Sequence, residues 1–168
     1  VGEGYARNEL EQLVKDRGLT DIVTFTGPVY DRDELKKIYA RTDLFVFPSL
    51  YDTAGLVTRE AAALSVPSII VAGSNASEGL TDGMNAFLCE DTDISVANTM
   101  ELALKDDDKR ALVGKGAKVA LARSWESIVD DVYERYVEII NTYHKRKRKS
   151  TYYVKPPVIA VNDGEEDL

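Results

Sequence analysis

Residues 44–71 read LFVFPSLYDTAGLVTREAAALSVPSIIV, and this stretch decides the fold. Leu44–Phe47 is a continuous apolar run, as expected for a parallel strand covered on both faces. Pro48-Ser49 breaks it and opens a loop. Asp52 lies at the loop tip, and Gly55 bears the turn into an alanine-rich helix over Leu56–Leu64 that carries Glu60. Pro67 opens a second buried strand, SIIVA. Two carboxylates therefore stand beside a helix N-terminus at the carboxyl end of a strand. In open α/β sheets that edge is where ligands bind.

The flanking sequence repeats the alternation. Leu10, Leu13 and Val14 share one helical face, with Gly18 as its stop. Ile22–Thr26 (IVTFT) is β-branched and aromatic, which predicts a strand ended by Gly27-Pro28. Asp31 and Glu34 form a capping-box pattern for a helix to about Arg41, with Leu35, Ile38 and Tyr39 inward. Residues 73–85 (GSNASEGLTDGMN) are turn formers with room for one helical turn. Ala86–Cys89 is a short strand, and Ile94–Leu104 and Lys109–Leu121 are surface helices. Ser124 caps a long amphipathic helix with the stripe Trp125, Ile128, Val129, Val132, Tyr136, Ile140 and Tyr143. The expectation is an α/β fold: a Rossmann-like, doubly wound parallel sheet with helices on both faces. The domain is expected to cover 1–143, and 144–168 is expected to be a tail, basic at Lys145–Lys149 and then acidic, in part disordered.

The 168 residues suffice for one domain with a real core. A formal net charge of −8 argues against a nucleic-acid partner. The single Cys89 forms no internal disulfide and no zinc site, and its apolar neighbours mark it as inert. A reducing, cytoplasmic setting is expected. His144, the one histidine, reads as a residue at a helix end rather than a catalytic group. VGEGYARNELEQL reads as the end of a strand running into a helix, so the expectation is a piece of a longer protein.

The central segment has a definite chemistry. The first amides of a helix are unpaired, and its dipole favours anions. Gly55, without a Cβ, admits a phosphate close to the backbone. A carboxylate there accepts hydrogen bonds from sugar hydroxyls, and Glu60 reaches a vicinal diol in bidentate fashion. The spacing fits a nucleotide-sugar, with its diphosphate on the amides of Ala54 to Val57, ribose on Glu60 and donor sugar near Asp52. The bland reading stands beside it: Asp52 as a plain helix cap and Glu60 as a solvated helix residue paired with Arg59 or a neighbour. Ser77 and Glu78, in a loop leaving the same sheet edge, either line the donor site or form an ordinary turn.

Residues 1 to about 140 resemble the C-terminal, donor-binding domain of retaining GT-B-fold glycosyltransferases of the glycosyltransferase 4 family (glycosyl transferases group 1). VGEGYARNEL, IVTFTGPV, TDLFVFPSLYDTAGLVTREAAALSVPSIIV, DGMNAFL and SWESI carry the resemblance. Such families place two glutamates with seven residues between them at the donor site. Asp52 stands for the first, one methylene shorter, and Glu60 is the second. GSNASEGLTDG departs from the family's Gly-Gly loop, and Asn85-Ala86 from its Asn-Gly. The resemblance implies a hexosyltransferase with Asp52 and Glu60 as catalytic-site carboxylates. It implies backbone contact of Val29 with the base, and amides of Gly55, Leu56 and Val57 on the diphosphate. The donor would be a UDP- or GDP-sugar, with no metal or other cofactor and front-face displacement as the mechanism. A first strand–helix unit and an N-terminal acceptor-binding domain would precede residue 1, and without them the chain is expected to be inactive. The acceptor would be a lipid or glycan. The basic residues and tyrosines of 144–155 would then allow peripheral contact with the inner face of a membrane, against the reading as a solvated tail. Two other classes remain: a nucleotide-sugar epimerase, weakened by the lack of a histidine before position 144, and a non-catalytic flavodoxin-like regulatory module.

Overall fold

The computed structural model describes residues 1–52 and 55–149, the last five of these in backbone only. It divides into two compact units, Val1–Arg123 and a second beginning at Ser124.

The first unit is built on a parallel sheet whose strands β1 (Phe45–Phe47), β2 (Ser68–Val71) and β3 (Phe87–Cys89) lie in that order. Central β2 is buried at every position, and Ile69 and Ile70 have no exposed surface. Each such side chain contributes roughly 1.5–3 kcal/mol by leaving water. The pleat sends neighbouring residues to opposite faces. Ile69, Val71, Phe87 and Cys89 pack with Val46 against Ala103 and Val113 of α4 (Asp93–Lys105) and α5 (Asp107–Leu121). On the other face Phe45 meets Tyr39 of α2 (Arg32–Ala40) and Ala61 of α3 (Leu56–Ala63), while Ile70 packs with Ala76 and Ala86. Helices thus cover both faces, as the alternating pattern predicts.

Local chemistry sets the helix starts. Asp31 accepts from the amides of Asp33 at 2.8 Å and Glu34 at 3.0 Å. The reciprocal half of the box is absent, because Glu34 instead pairs with Lys37 at 2.6 Å. Thr92 caps α4 through the Ser95 amide, and Asp106 caps α5 through the Lys109 amide. α1 (Arg7–Asp16) ends at Gly18, whose φ of 66° is the left-handed stop expected there. The loop after β2 holds a single 3-10 turn, Asn75–Ser77.

Three expectations need correction. Ile22 lies in a turn after α1 and 23–26 form no strand, nor do residues 1–4. A strand exists only through its ladder, and among the described residues the backbone bond here is Gly2 N to Gly27 O at 2.8 Å. β1 is half-buried rather than covered, since it is an edge strand of this sheet. The long helix α6 (Trp125–Lys149) continues past residue 143, so His144 and the basic run extend it rather than follow it.

In the second unit α6 is amphipathic, and Ser124 Oγ accepts from the Ser127 amide at 3.2 Å. Its stripe residues Trp125, Val129, Val132, Tyr136, Ile140 and Tyr143 are exposed, with Ile128 half-buried. No helix among the described residues is long and apolar enough to cross a membrane. Of the candidate membrane segment 144–155, residues 150–155 lie outside the described residues, as does the acidic end of the tail.

Candidate functional site

Because the sheet is parallel, the loops after β1 and β2 leave from one edge, and both reach the start of α3. Gly55 is the N-cap of α3, at φ 57° and ψ 34°. An L-residue pays roughly 1–2 kcal/mol in that region, which accounts for glycine here. Thr58 Oγ1 donates to the Gly55 carbonyl at 2.6 Å and locks the turn. Asp52 therefore is not the helix cap; it lies three residues upstream, half-buried. Ala54 lies outside the described residues.

Beside this helix start is a cavity of about 300 Å³, lined by Gly55, Leu56, Thr58, Arg59, Asn75, Ala76, Glu78 and Leu121. It brings together three residues expected at the site: Gly55, Leu56 and Glu78. Leu56 is exposed. Ser77 is not among the lining residues, and its hydroxyl donates to the Ser74 carbonyl at 2.7 Å, the ordinary-turn alternative. Arg59, expected only as a partner for Glu60 and not at the site, stands at the cavity and donates from Nη1 to the Leu121 carbonyl at 3.4 Å. Its signal was its place in the first turn of α3, where a cation is out of favour with the helix dipole and so calls for a reason.

Glu60 lies one turn further along α3. Its Oε1 accepts from Arg32 Nη1 at 2.7 Å, and its Oε2 is 3.5 Å from the Tyr39 hydroxyl. That hydroxyl also reaches the Val57 carbonyl at 3.3 Å. Burial, and then the Glu60 charge, push the Tyr39 phenol up, so it stays protonated and a donor at neutral pH. Glu60 and Val57 border a second, larger cleft of about 480 Å³ with Tyr39, Phe45 and Phe47. Val29, half-buried between the Gly27 turn and α2, lines neither cleft. Cys89 is buried with its thiol pushed up by burial, consistent with an inert core residue.

An open parallel sheet with a left-handed glycine and a helix N-terminus at its carboxyl edge is the ligand-binding arrangement of Rossmann-like domains. The chain belongs to the family described as glycosyl transferases group 1, which matches residues 1–120. It is 31% identical over 147 residues to D-inositol 3-phosphate glycosyltransferase of Mycolicibacterium smegmatis, covering 86% of this chain and 33% of that protein. The corresponding protein of Corynebacterium kroppenstedtii is 32% identical over 139 residues, covering 79% and 31%. The chain thus spans about a third of the length of the curated relatives it matches. Among solved structures, sucrose-phosphate synthase from Thermosynechococcus elongatus superposes with a TM-score of 0.68 at 27% identity, over 83% of this chain and 35% of that one. The C-terminal domain of a glycosyl transferase group 1 family protein (LpcC) from Francisella tularensis gives 0.62 at 26% identity, over 68% and 59%. Anabaena Alr3699/HepE, solved in complex with UDP, shares the fold with a TM-score of 0.64 at 23% identity, over 81% and 36%. The fold is a Rossmann-like half of a GT-B enzyme, as the resemblance implied.

Proposed function

We propose that this chain is the donor-binding part of a hexosyltransferase that moves a sugar from a UDP- or GDP-sugar to a lipid or glycan acceptor with retention. One observation carries the reading: the left-handed Gly55 opens α3 onto a cavity, with Glu60 one turn behind it. The amides of Gly55, Leu56 and Val57 bind the diphosphate, an arrangement favoured by the helix dipole. Glu60 takes the ribose diol, and Asp52 faces the donor sugar. The acceptor hydroxyl attacks the anomeric carbon from the face that the diphosphate leaves. The anomeric C–O bond breaks as the new one forms, and the acceptor's proton passes to the departing phosphate oxygen. Charge growing on that oxygen is stabilised by the helix amides, an electrostatic effect of the oxyanion-hole kind. An N-terminal domain of a longer protein holds the acceptor, in keeping with the third of its relatives' length that this chain spans.

Titration of the chain with UDP, GDP and ADP, by calorimetry or NMR, tests the reading. One of the three diphosphates should bind, and Glu60→Ala should weaken it by at least about tenfold, the worth of a hydrogen bond to a charged group. Binding of none, or an affinity indifferent to Glu60, overturns it.

A further inference from the structure

The carboxylate assigned to the ribose does not stand alone. Arg32 opens α2, and Tyr39 follows seven residues later on the same helical face. Arg32 donates to Oε1 of Glu60 at 2.7 Å, and the Tyr39 hydroxyl stands 3.5 Å from Oε2, its one proton shared between that oxygen and the Val57 carbonyl at 3.3 Å. Tyr39 is the rigid member: it is buried, and its ring meets Phe45 edge-on with centroids 5.8 Å apart. Arg32 is the open member, with 76% of its side chain exposed against 35% for Glu60. An ion pair this exposed adds little to stability.

Its chemistry suits a different task. A guanidinium carries five N–H donors, and the bond to Glu60 uses one. An ionised carboxylate has about four lone-pair sites, so two protein donors leave room for two hydroxyls. A vicinal diol both donates and accepts. Each hydroxyl can give its proton to Glu60 and accept from the neighbouring guanidinium, so the pair matches a diol where a lone carboxylate would meet only half of it. The 2′-hydroxyl is the group by which a protein tells ribose from deoxyribose.

We propose that Arg32 and Glu60 together read the ribose diol of the donor nucleotide, with Tyr39 as the positioning residue that holds the carboxylate toward it. This rests on the reading that Glu60 faces the ribose. The pair makes the site selective for ribonucleoside over 2′-deoxyribonucleoside diphosphates.

The test titrates the chain with UDP, GDP and their 2′-deoxy counterparts. The unaltered chain should prefer the ribonucleotide by about tenfold or more. Arg32→Ala should lower that preference at least about threefold without shifting the unfolding temperature, because the pair is exposed. Arg32→Lys should restore part of it, keeping the charge and losing the fork. Tyr39→Phe should also lower the ratio, which a purely structural role would leave alone. If Glu60→Ala abolishes the preference and Arg32→Ala leaves it intact, the role of Arg32 is overturned and the donor site stands. A chain that binds both sugars equally, yet loses affinity on Glu60→Ala, overturns the diol reader alone. No binding, or binding blind to Glu60, overturns both.

Discussion

Replacing Gly55 with alanine tests the start of α3 most directly. Two separate costs add at this position. The first is the backbone: φ is 57°, in the left-handed region, which costs an L-residue roughly 1–2 kcal/mol. The second is a collision. A Cβ on residue 55 would stand 2.8 Å from Thr58 Oγ1, with Ala76 Cα and Cβ behind it at 3.8 and 3.9 Å. The hydroxyl is buried and bonded to the Gly55 carbonyl at 2.6 Å, so moving aside means giving up that bond, worth about 0.5–1.5 kcal/mol. Together the cost should be about 1.5–3.5 kcal/mol. The two parts separate in a double-mutant cycle. Thr58→Ala removes both the bond and the obstructing oxygen. The double variant should therefore be more stable than the sum of the single costs by about 1 kcal/mol. Urea unfolding of the four proteins gives the numbers, and diphosphate titration of the same set should show Gly55→Ala weakening binding. A cost below about 0.5 kcal/mol, or strict additivity, would refute the reasoning, because neither the strained turn nor its threonine lock would then be real.

Three further outcomes follow from other parts of the fold. Gly114 in α5 lies against the carbonyl of Ser65 and 3.2 Å from Pro67 Cδ where a Cβ would be, so Gly114→Ala should cost about 1–3 kcal/mol or more in urea unfolding by wedging α5 off the turn after α3. Ser65 itself adopts φ 61°, and Ser65→Gly should stabilise the chain by about 0.5–1 kcal/mol, the relieved strain less the greater freedom of the unfolded chain. The amides of Glu34 and Asp33 hold the Asp31 carboxyl below its ordinary value, so its stabilisation is whole above the unfolded carboxylate value and is lost as pH falls through the lowered folded one. The gap in unfolding temperature between the chain and Asp31→Ala should stay level near neutral pH and close below about pH 4.

The elements legible in the sequence are those whose cause is local. A four-residue apolar run between Pro67 and Gly73 has one physical outcome, a buried central strand, and β2 is that strand. Asp31 announces α2 because a cap satisfies amides two and three residues away. Gly55 was legible as a glycine the turn requires, although its partner Thr58 was not, since threonine within a helix has many possible reasons. IVTFT shows the opposite case. Its composition suits a strand, but strand formation depends on a neighbour that composition does not encode, and here the pairing reduces to the Gly2–Gly27 contact. The cavity beside the start of α3 was unreadable for the same reason: Arg59 comes to it from the helix and Glu78 from the loop after β2, 19 positions later.

Glu60 shows how a local and a distant reading of one residue can both hold. From sequence it has two competing descriptions, a ribose ligand or a paired helix residue, and its partner Arg32 lies 28 positions away where no periodicity points. The pairing itself does not decide for the bland description. Glu101 finds Lys105 and Glu34 finds Lys37 on their own helices, whereas Leu56, Val57, Ala63 and Leu64 leave Glu60 no cation at i±3 or i±4 on α3. Glu60 is instead gripped across two helices, by a buried phenol with a fixed ring and by an exposed guanidinium with donors to spare. A pair of this exposure returns too little stability to account for the arrangement. What the arrangement does achieve is a fixed orientation for an anion one turn behind a helix N-terminus, and orientation is what a ligand group needs, because a carboxylate free to rotate loses in ordering entropy what it gains from two hydroxyls.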